Sequence, residues 1–223
     1  MASFDVDMAQ TMEITEIFHS IQGESAAAGM PCHFIRTAGC NLRCPWCDSA
    51  YAFGRGQELS LAAILERLKT FPPCQMVELT GGEPMLQAAA VPLMQVLLDK
   101  GYRVLLETNG TLDLRQVPRA VTKIVDIKPP SAGIDPGALW KNLDGLSPHD
   151  EVKCVITSHA DYAWARDKVL DLGLLDLLTV SFSPVWGEVD ARDLSRWILA
   201  DGLPIRLNLQ LHKFIWGAGV AGV

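Results

Sequence analysis

Three cysteines crowd into one short stretch, Cys40-Asn-Leu-Arg-Cys44-Pro-Trp-Cys47, with three and then two residues between them. Thiols this close along a chain are poor staples between distant segments, and in a chain without secretory features they read as metal-binding or redox groups. A cubane 4Fe–4S cluster normally takes four thiolates. Three local cysteines leave one iron with an open position that a small chelating ligand can occupy. The alternative is a structural zinc site, which needs a fourth protein ligand. His33 is the nearest imidazole, but it falls in an expected strand, and no second Cys-x-x-Cys or His pair follows. Cys32, Cys74 and Cys154 are isolated and read as small buried hydrophobes.

The elements that must position this loop alternate. Short β-branched or aromatic runs at His33–Arg36, Met76–Leu79, Arg103–Glu107, Lys123–Ile127, Glu151–Ile156, Leu178–Ser183 and Ile205–Leu209 predict strands. Helical patterns lie between them at Leu61–Thr70, Ala88–Lys100, Ala138–Leu143, Tyr162–Leu172 and Ala191–Ala200, with Ser60 as N-cap of the first and Gly101 ending the second. Strand–helix alternation implies right-handed crossovers and a mainly parallel sheet. A closed eight-unit barrel takes ~250 residues, so the expected α/β fold is an incomplete, partly open (β/α) barrel of about six units. Residues Glu13–Glu24 add a short N-terminal strand and loop, and a doubly wound open sheet is the alternative. The polar and glycine-rich clusters at Gly39–Ser49, Thr80–Pro84, Thr108–Gly110, Lys128–Ser131 and Gln210–Lys213 each follow a strand, and such loops converge on one face.

With 223 residues, 49% of them apolar, the chain can build one core as a single domain over 1–223. A net charge of -7 argues against a nucleic-acid surface. The N-terminal stretch is acidic and lacks the apolar core of a secretory signal, and no apolar run would span a bilayer, so the expectation is a cytoplasmic protein.

Cys-x3-Cys-x2-Cys with Trp46 before the last cysteine resembles the radical S-adenosylmethionine superfamily, and Thr80-Gly81-Gly82-Glu83-Pro84 resembles its second motif, which sits on the methionine amino group. The resemblance implies that the cofactor's amino and carboxylate groups chelate the open iron of a cluster on Cys40, Cys44 and Cys47, and that one electron then yields a 5′-deoxyadenosyl radical. Glycyl-radical activating enzymes share both motifs but act on a partner protein. A non-catalytic zinc or iron–sulfur protein is the alternative from another class.

Further segments resemble the 7-carboxy-7-deazaguanine synthase family of the queuosine pathway: Ile17–Glu24, Phe34–Cys40, Trp46-Cys-Asp-Ser49, Leu106–Gly110, Asp126–Pro130 and Gln210–Lys213. That family converts 6-carboxy-5,6,7,8-tetrahydropterin to 7-carboxy-7-deazaguanine with release of ammonia. The resemblance implies Mg²⁺ on Ser49. It puts S-adenosylmethionine against Trp46, Cys47, Asp48, Gly82, Asp126, Ile127 and Lys128. It puts substrate against Ile21, Gln22, Gly23, Glu24, Arg36 and Thr80, with Ser131 and His212 as further candidates. It also implies a homodimer and an external electron donor such as a flavodoxin or ferredoxin.

The residues suit such a ligand. Gln22 and Glu24 offer amide and carboxylate groups to a pterin edge, and the Arg36 guanidinium is a natural partner for a carboxylate. Plainer readings stand beside these. Gln22–Glu24 is a surface turn, Arg36 a strand-end charge and Ser49 a helix cap. In the same spirit His212 is packed under the C-terminus, Lys213 faces solvent, and Asp126 merely pairs with Lys128. Ser25 stands where the family has Gly after Gln-Gly-Glu, tolerable if that position needs no positive φ. Ser183-Pro184-Val185 replaces a Gln-Pro-Val-like segment.

Overall fold

The computed structural model describes residues 6–134, 142–143 and 145–223. Nine strands form one sheet: β1 (Thr11–Ile21), β2 (Pro31–Thr37), β3 (Gln57–Ser60), β4 (Met76–Gly81), β5 (Arg103–Thr108), β6 (Thr122–Ile127), β7 (Glu151–Ile156), β8 (Thr179–Pro184) and β9 (Arg206–Leu207). Their order is β3-β1-β2-β4-β5-β6-β7-β8-β9. From β2 to β9 every pairing is parallel, whereas β1 is antiparallel to both β2 and β3. The sheet is not closed, with β3 and β9 at its edges.

The strand runs read from the sequence are all present, but the N-terminal one is longer than expected and the last is cut to two residues. β1 runs for eleven residues because it is flanked on both sides, by β2 and by β3, a strand whose polar sequence Gln-Glu-Leu-Ser carries no apolar signal of its own. β9 follows Pro204, which has no N–H to extend the ladder, and ends where Asn208 turns to β8.

Helices α1 (Leu61–Leu68), α2 (Ala90–Asp99), α3 (His159–Asp171) and α4 (Ala191–Asp201) cover the outer side, whereas the short α5 (Leu211–Ile215) brings His212 and Lys213 to the inner face. In α1 the buried residues are Leu61, Ile64, Leu65 and Leu68, one stripe at helical spacing, and the Ser60 hydroxyl accepts from Ala63 N at 3.1 Å. Gly101 ends α2 with φ +86°. The helix expected over Ala138–Leu143 falls mostly outside the described residues. Among the described residues no helix is long and apolar enough to cross a membrane.

Alternation along the parallel strands sorts two faces. Val77, Leu79, Val104, Leu106 and Val125 join α1 and α2 in one core cluster; Ile127, Val152, Cys154, Ile156, Val180 and Phe182 join α3 and α4 in another. The intervening residues point the other way, and near the carboxyl ends of the strands they are polar: Arg36, Glu78, Thr80, Glu107, Asp126 and Lys153. Cys32 and Cys154 are buried as expected, but Cys74 is only half-buried.

Candidate active site

A cleft of about 320 Å³ opens on this polar inner face, within the ~300–1,000 Å³ typical of small-molecule sites. Free thiols of Cys40, Cys44 and Cys47, all half-buried, line one end. The loop that carries them is tied down at its start, where Gly39 N donates to Ala52 O at 2.7 Å. Burial raises the Cys40 and Cys44 thiols above their ordinary range, so a bound metal must draw off their protons.

The Thr80–Pro84 segment lies directly against this loop. Gly82 has no room for a side chain: a Cβ there would stand 2.0 Å from Gly39 O and 2.9 Å from Cys40 Cβ. Gly81 adopts φ +147°, and a Cβ would strike Thr37. Glu83 is fully buried and turns back into the protein, accepting from Met85 N, Asn109 N and Thr108 Oγ1 at 3.0, 2.7 and 2.8 Å. The acidic residue of the motif thus clamps two strand-end loops together and leaves Gly82 packed against the start of the cysteine loop and Gly81 against Thr37.

Asp126 and Lys128 reach the same end, paired at 2.7 Å. Asp126 Oδ1 is nonetheless buried without a partner, and Asp126 lines the cleft beside Cys44. An orphaned acceptor next to three thiols suits a ligand that brings its own donors. Trp46, Cys47, Asp48 and Gly82 also line the cleft, whereas the Ile127 side chain faces the helices and belongs to the second core cluster.

At the other end the chain leaving β1 enters the barrel. Ile21, Gln22, Gly23 and Glu24 line its floor, so Gln22–Glu24 is no surface turn. Gln22 Nε2 donates to Glu78, which burial and the Glu107 charge hold well above the usual carboxylate range. Glu24 receives Lys153 Nζ at 2.7 Å, Gln210 Nε2 at 2.9 Å and Asn208 Nδ2 at 3.3 Å. Burial pushes the Glu24 carboxyl up, but the Lys153 charge and its hydrogen bond outweigh that and bring it down. Lys153 is also paired with Glu107 and lies 3.5 Å from Asp126. Gly23 meets His212, whose Nδ1 would stand 2.2 Å from a Cβ on that residue.

Arg36 and Thr80 are register partners on β2 and β4 and both line the cleft. The guanidinium donates from Nε to Glu16 at 2.7 Å and lies over the Phe18 and Tyr51 rings at 5.9 and 5.8 Å. Ser49 precedes a short 3₁₀ turn but makes no side-chain capping bond; its hydroxyl donates to Asp48 Oδ1 at 3.1 Å. Lys213 does not face solvent: it is buried and reaches Asp48 at 2.9 Å. Ser131 is not brought to the cleft, since its hydroxyl donates to Asp161, which also receives Thr157.

Ser25 overturns one expectation. Its φ is +63°, so this position does take the left-handed conformation that the family's glycine would adopt freely. The serine hydroxyl offsets part of that strain by accepting from Ala27 N at 3.1 Å. Ser183 finds a role that its departure from the family pattern left open, receiving Asn208 Nδ2 at 2.7 Å and so steadying a neighbour of Glu24.

Sequence reasoning gave no role to Glu78, Glu107, Lys153 or Gln210, all of which line the cleft. A signal was present: Glu78 and Lys153 interrupt apolar strand runs at the positions that alternate away from the helical core.

Residues 34–138 match the family model described as the Radical SAM superfamily. Over 95% of its length the chain is 45% identical to a curated relative from Koribacter versatilis (strain Ellin345), a 7-carboxy-7-deazaguanine synthase, with 100% of that relative covered. A relative of the same name in Chlorobaculum tepidum is 43% identical, with 95% of this chain and 97% of the relative covered. Among solved structures, QueE from Escherichia coli superposes with a TM-score of 0.77 at 22% identity, covering 95% of this chain and all of that one.

Proposed function

The chain belongs to the 7-carboxy-7-deazaguanine synthase family of radical SAM enzymes, and from that premise we propose how its cleft divides recognition from radical chemistry. The reaction contracts the ring of 6-carboxy-5,6,7,8-tetrahydropterin to 7-carboxy-7-deazaguanine with release of ammonia, in queuosine biosynthesis. What carries the division is that one cavity joins three free thiols at one end to a buried polar floor at the other.

A 4Fe–4S cluster and S-adenosylmethionine supply one-electron chemistry that removes a hydrogen atom from the substrate. Cys40, Cys44 and Cys47 hold the cluster. Gly81 and Gly82 let the Thr80–Pro84 segment pack directly against the start of the cysteine loop, and Asp126 Oδ1, Trp46, Asp48 and Lys128 would line the place of the adenosyl cofactor. On the floor, Gln22 and Glu24 meet the pterin edge, with Lys153 keeping Glu24 ionised as an acceptor. Arg36, already oriented by Glu16 and two rings, offers its remaining N–H donors to the substrate carboxylate, with Thr80 beside it. His212 closes the floor over Gly23. Ser49 Oγ, now bonded to Asp48, would offer a protein ligand to Mg²⁺.

The reading extends to a single domain over 1–223, a homodimer in the cytoplasm, and an external reductant such as a flavodoxin or ferredoxin. Relatives that share nearly the whole chain carry the synthase name, which favours a small-molecule substrate over the activating-enzyme alternative. The test is anaerobic incubation of the reconstituted enzyme with the carboxytetrahydropterin, S-adenosylmethionine and a reductant, followed by mass analysis. The expected result is deazaguanine with the cofactor regenerated; cofactor cleavage without that product overturns the substrate. In the same assay Ser49→Ala should lower turnover and flatten the magnesium response at unchanged iron content.

A further inference from the structure

Away from the cleft, the described residues bring together another set of metal-ligating side chains. His19, His33 and Cys74 each offer a ligand atom, and these atoms lie within 4.8 Å of one another. His19 on β1 and His33 on β2 are direct cross-strand partners, their ring centroids 4.8 Å apart at 70°. Both rings lie near Phe71, at 6.4 and 5.7 Å, on the face opposite the stacked Phe18 and Phe34 of the inner side. Cys74 belongs to the link between α1 and β4 and is half-buried.

An independent observation concerns the imidazoles. Nδ1 of His19 and Nδ1 of His33 are both buried with no hydrogen-bond partner. His33 itself is 2% exposed. Its Nε2 lies 3.1 Å from Pro72 O. A carbonyl only accepts, so Nε2 carries the proton and Nδ1 keeps a bare lone pair. Metal-bound histidines are held in this way, with the second ring nitrogen donating to a backbone carbonyl or carboxylate. Cys74 Sγ donates to Pro31 O at 3.1 Å and to Met76 O at 3.4 Å, which holds the sulfur beside the hairpin.

We propose that His19, His33 and Cys74 form a second metal site, on the outer face of the β1–β2 hairpin, for a borderline divalent cation of the zinc class. Two imidazoles and a thiolate are a donor set zinc accepts, and among the described residues no carboxylate joins the group to favour magnesium or calcium. Zinc–nitrogen and zinc–sulfur bonds of about 2.0 and 2.3 Å set tetrahedral donors about 3.3–3.6 Å apart. The three atoms must therefore draw together slightly from their separations of up to 4.8 Å. A water fills the fourth position. On binding, the Cys74 S–H bond breaks, its proton goes to solvent, the sulfur bonds the cation, and no electrons are exchanged. The ion would fasten the α1–β4 link to β1 just ahead of Ile21 and Gln22, which begin the floor of the cleft.

The test uses the full chain with its iron–sulfur cluster reconstituted, and in parallel the full chain carrying Cys40→Ala, Cys44→Ala and Cys47→Ala, where zinc cannot be held by those thiols. Each is loaded with Zn²⁺, dialysed and assayed for metal. One retained equivalent is expected in both. Losing only the outer partner of a ligand typically costs 10–100-fold in metal affinity, so Cys74→Ser and His19→Gln should each cost about a hundredfold or more. Co²⁺ in the cluster-free chain should give an intense sulfur-to-metal absorption that Cys74→Ser abolishes. Zinc retained equally by Cys74→Ser and His19→Gln overturns the site, as does no zinc above background. Should either variant fold poorly, thermal unfolding of the cluster-free parent decides: a Zn²⁺-dependent rise in its midpoint is expected, and an unmoved midpoint overturns the proposal.

Discussion

At the cysteine end of the cleft, Cys40, Cys44 and Cys47 are half-buried free thiols, and Asp126 Oδ1 beside them has no partner. At the floor, the charged groups already answer one another: Lys153 sits among Glu24, Glu107 and Asp126, Glu24 takes two amides besides, and Gln22 gives one amide N–H to Glu78. One end is organised around what it is to receive, the other around its own internal balance. The first can be altered with little cost to the fold. At the floor, each change leaves a buried charge or hydrogen-bonding group stranded, so binding and stability are altered together.

The largest expected effect tests the receiving end. Cys44→Ala should empty the protein of iron and sulfide and abolish turnover, while the unfolding free energy of the cluster-free chain in urea changes by no more than about 0.5 kcal/mol. A Cys44→Ala protein with full iron and sulfide content would remove this residue from the cluster. Lys153→Met is the mirror image. It strands Glu24 and Glu107 around one buried position, while Asp126 keeps Lys128, and breaking a buried pair by removing one partner costs ~3–5 kcal/mol. Denaturant unfolding of the two variants side by side is the direct measurement; equal midpoints would erase the contrast.

Glu24→Gln sharpens the comparison, since it keeps shape and removes charge. Hydrogen bonds to charged groups contribute ~1.5–3 kcal/mol, so product formation should fall roughly tenfold to hundredfold. Cluster content and cofactor cleavage without substrate should persist, because Glu24 touches none of the three cysteines. Normal deazaguanine formation by this variant would move the pterin away from the floor.

The same contrast explains what the sequence disclosed. The cysteine end is local: three thiols within eight residues and a Gly-Gly-Glu-Pro turn announce themselves by spacing, and the strands that carry them announce themselves by apolar runs. The floor joins Gln22, Glu78, Glu107, Lys153 and Gln210 from five separate segments, and only the register of neighbouring strands brings them together. Gln22, Glu24 and Arg36 were reachable through family resemblance, but Lys153, which holds Glu24 ionised, was not. β3 escaped notice because its polar residues form a strand only through pairing with β1. The left-handed Ser25 was marked only by the glycine that the family carries at that position, since a serine does not itself announce a positive φ.

The smallest effect concerns the place where the two ends meet. Gln210 Nε2 donates both to Glu24 at 2.9 Å and to Asp48 at 3.1 Å, and Asp48 also takes Lys213 Nζ at 2.9 Å and the Ser49 hydroxyl at 3.1 Å. Partial burial pushes the Asp48 carboxyl up, but the Lys213 charge and hydrogen bond outweigh it, and the group ends well below its usual range. A carboxyl depressed on folding stabilises the folded state at every pH above its unfolded value of 3.8, and that contribution is lost as the pH falls further toward the folded value. Stability measured in urea should therefore separate wild type from Asp48→Asn at about pH 7 and equally at about pH 5, with the gap narrowing at about pH 3. The Asp48 side chain is 44% exposed, so water screens the pair and the gap should stay below ~1 kcal/mol. A gap that widened in acid would mean that Asp48 is held by something other than Lys213, and that the cysteine loop is fastened to the C-terminal segment by shape rather than charge.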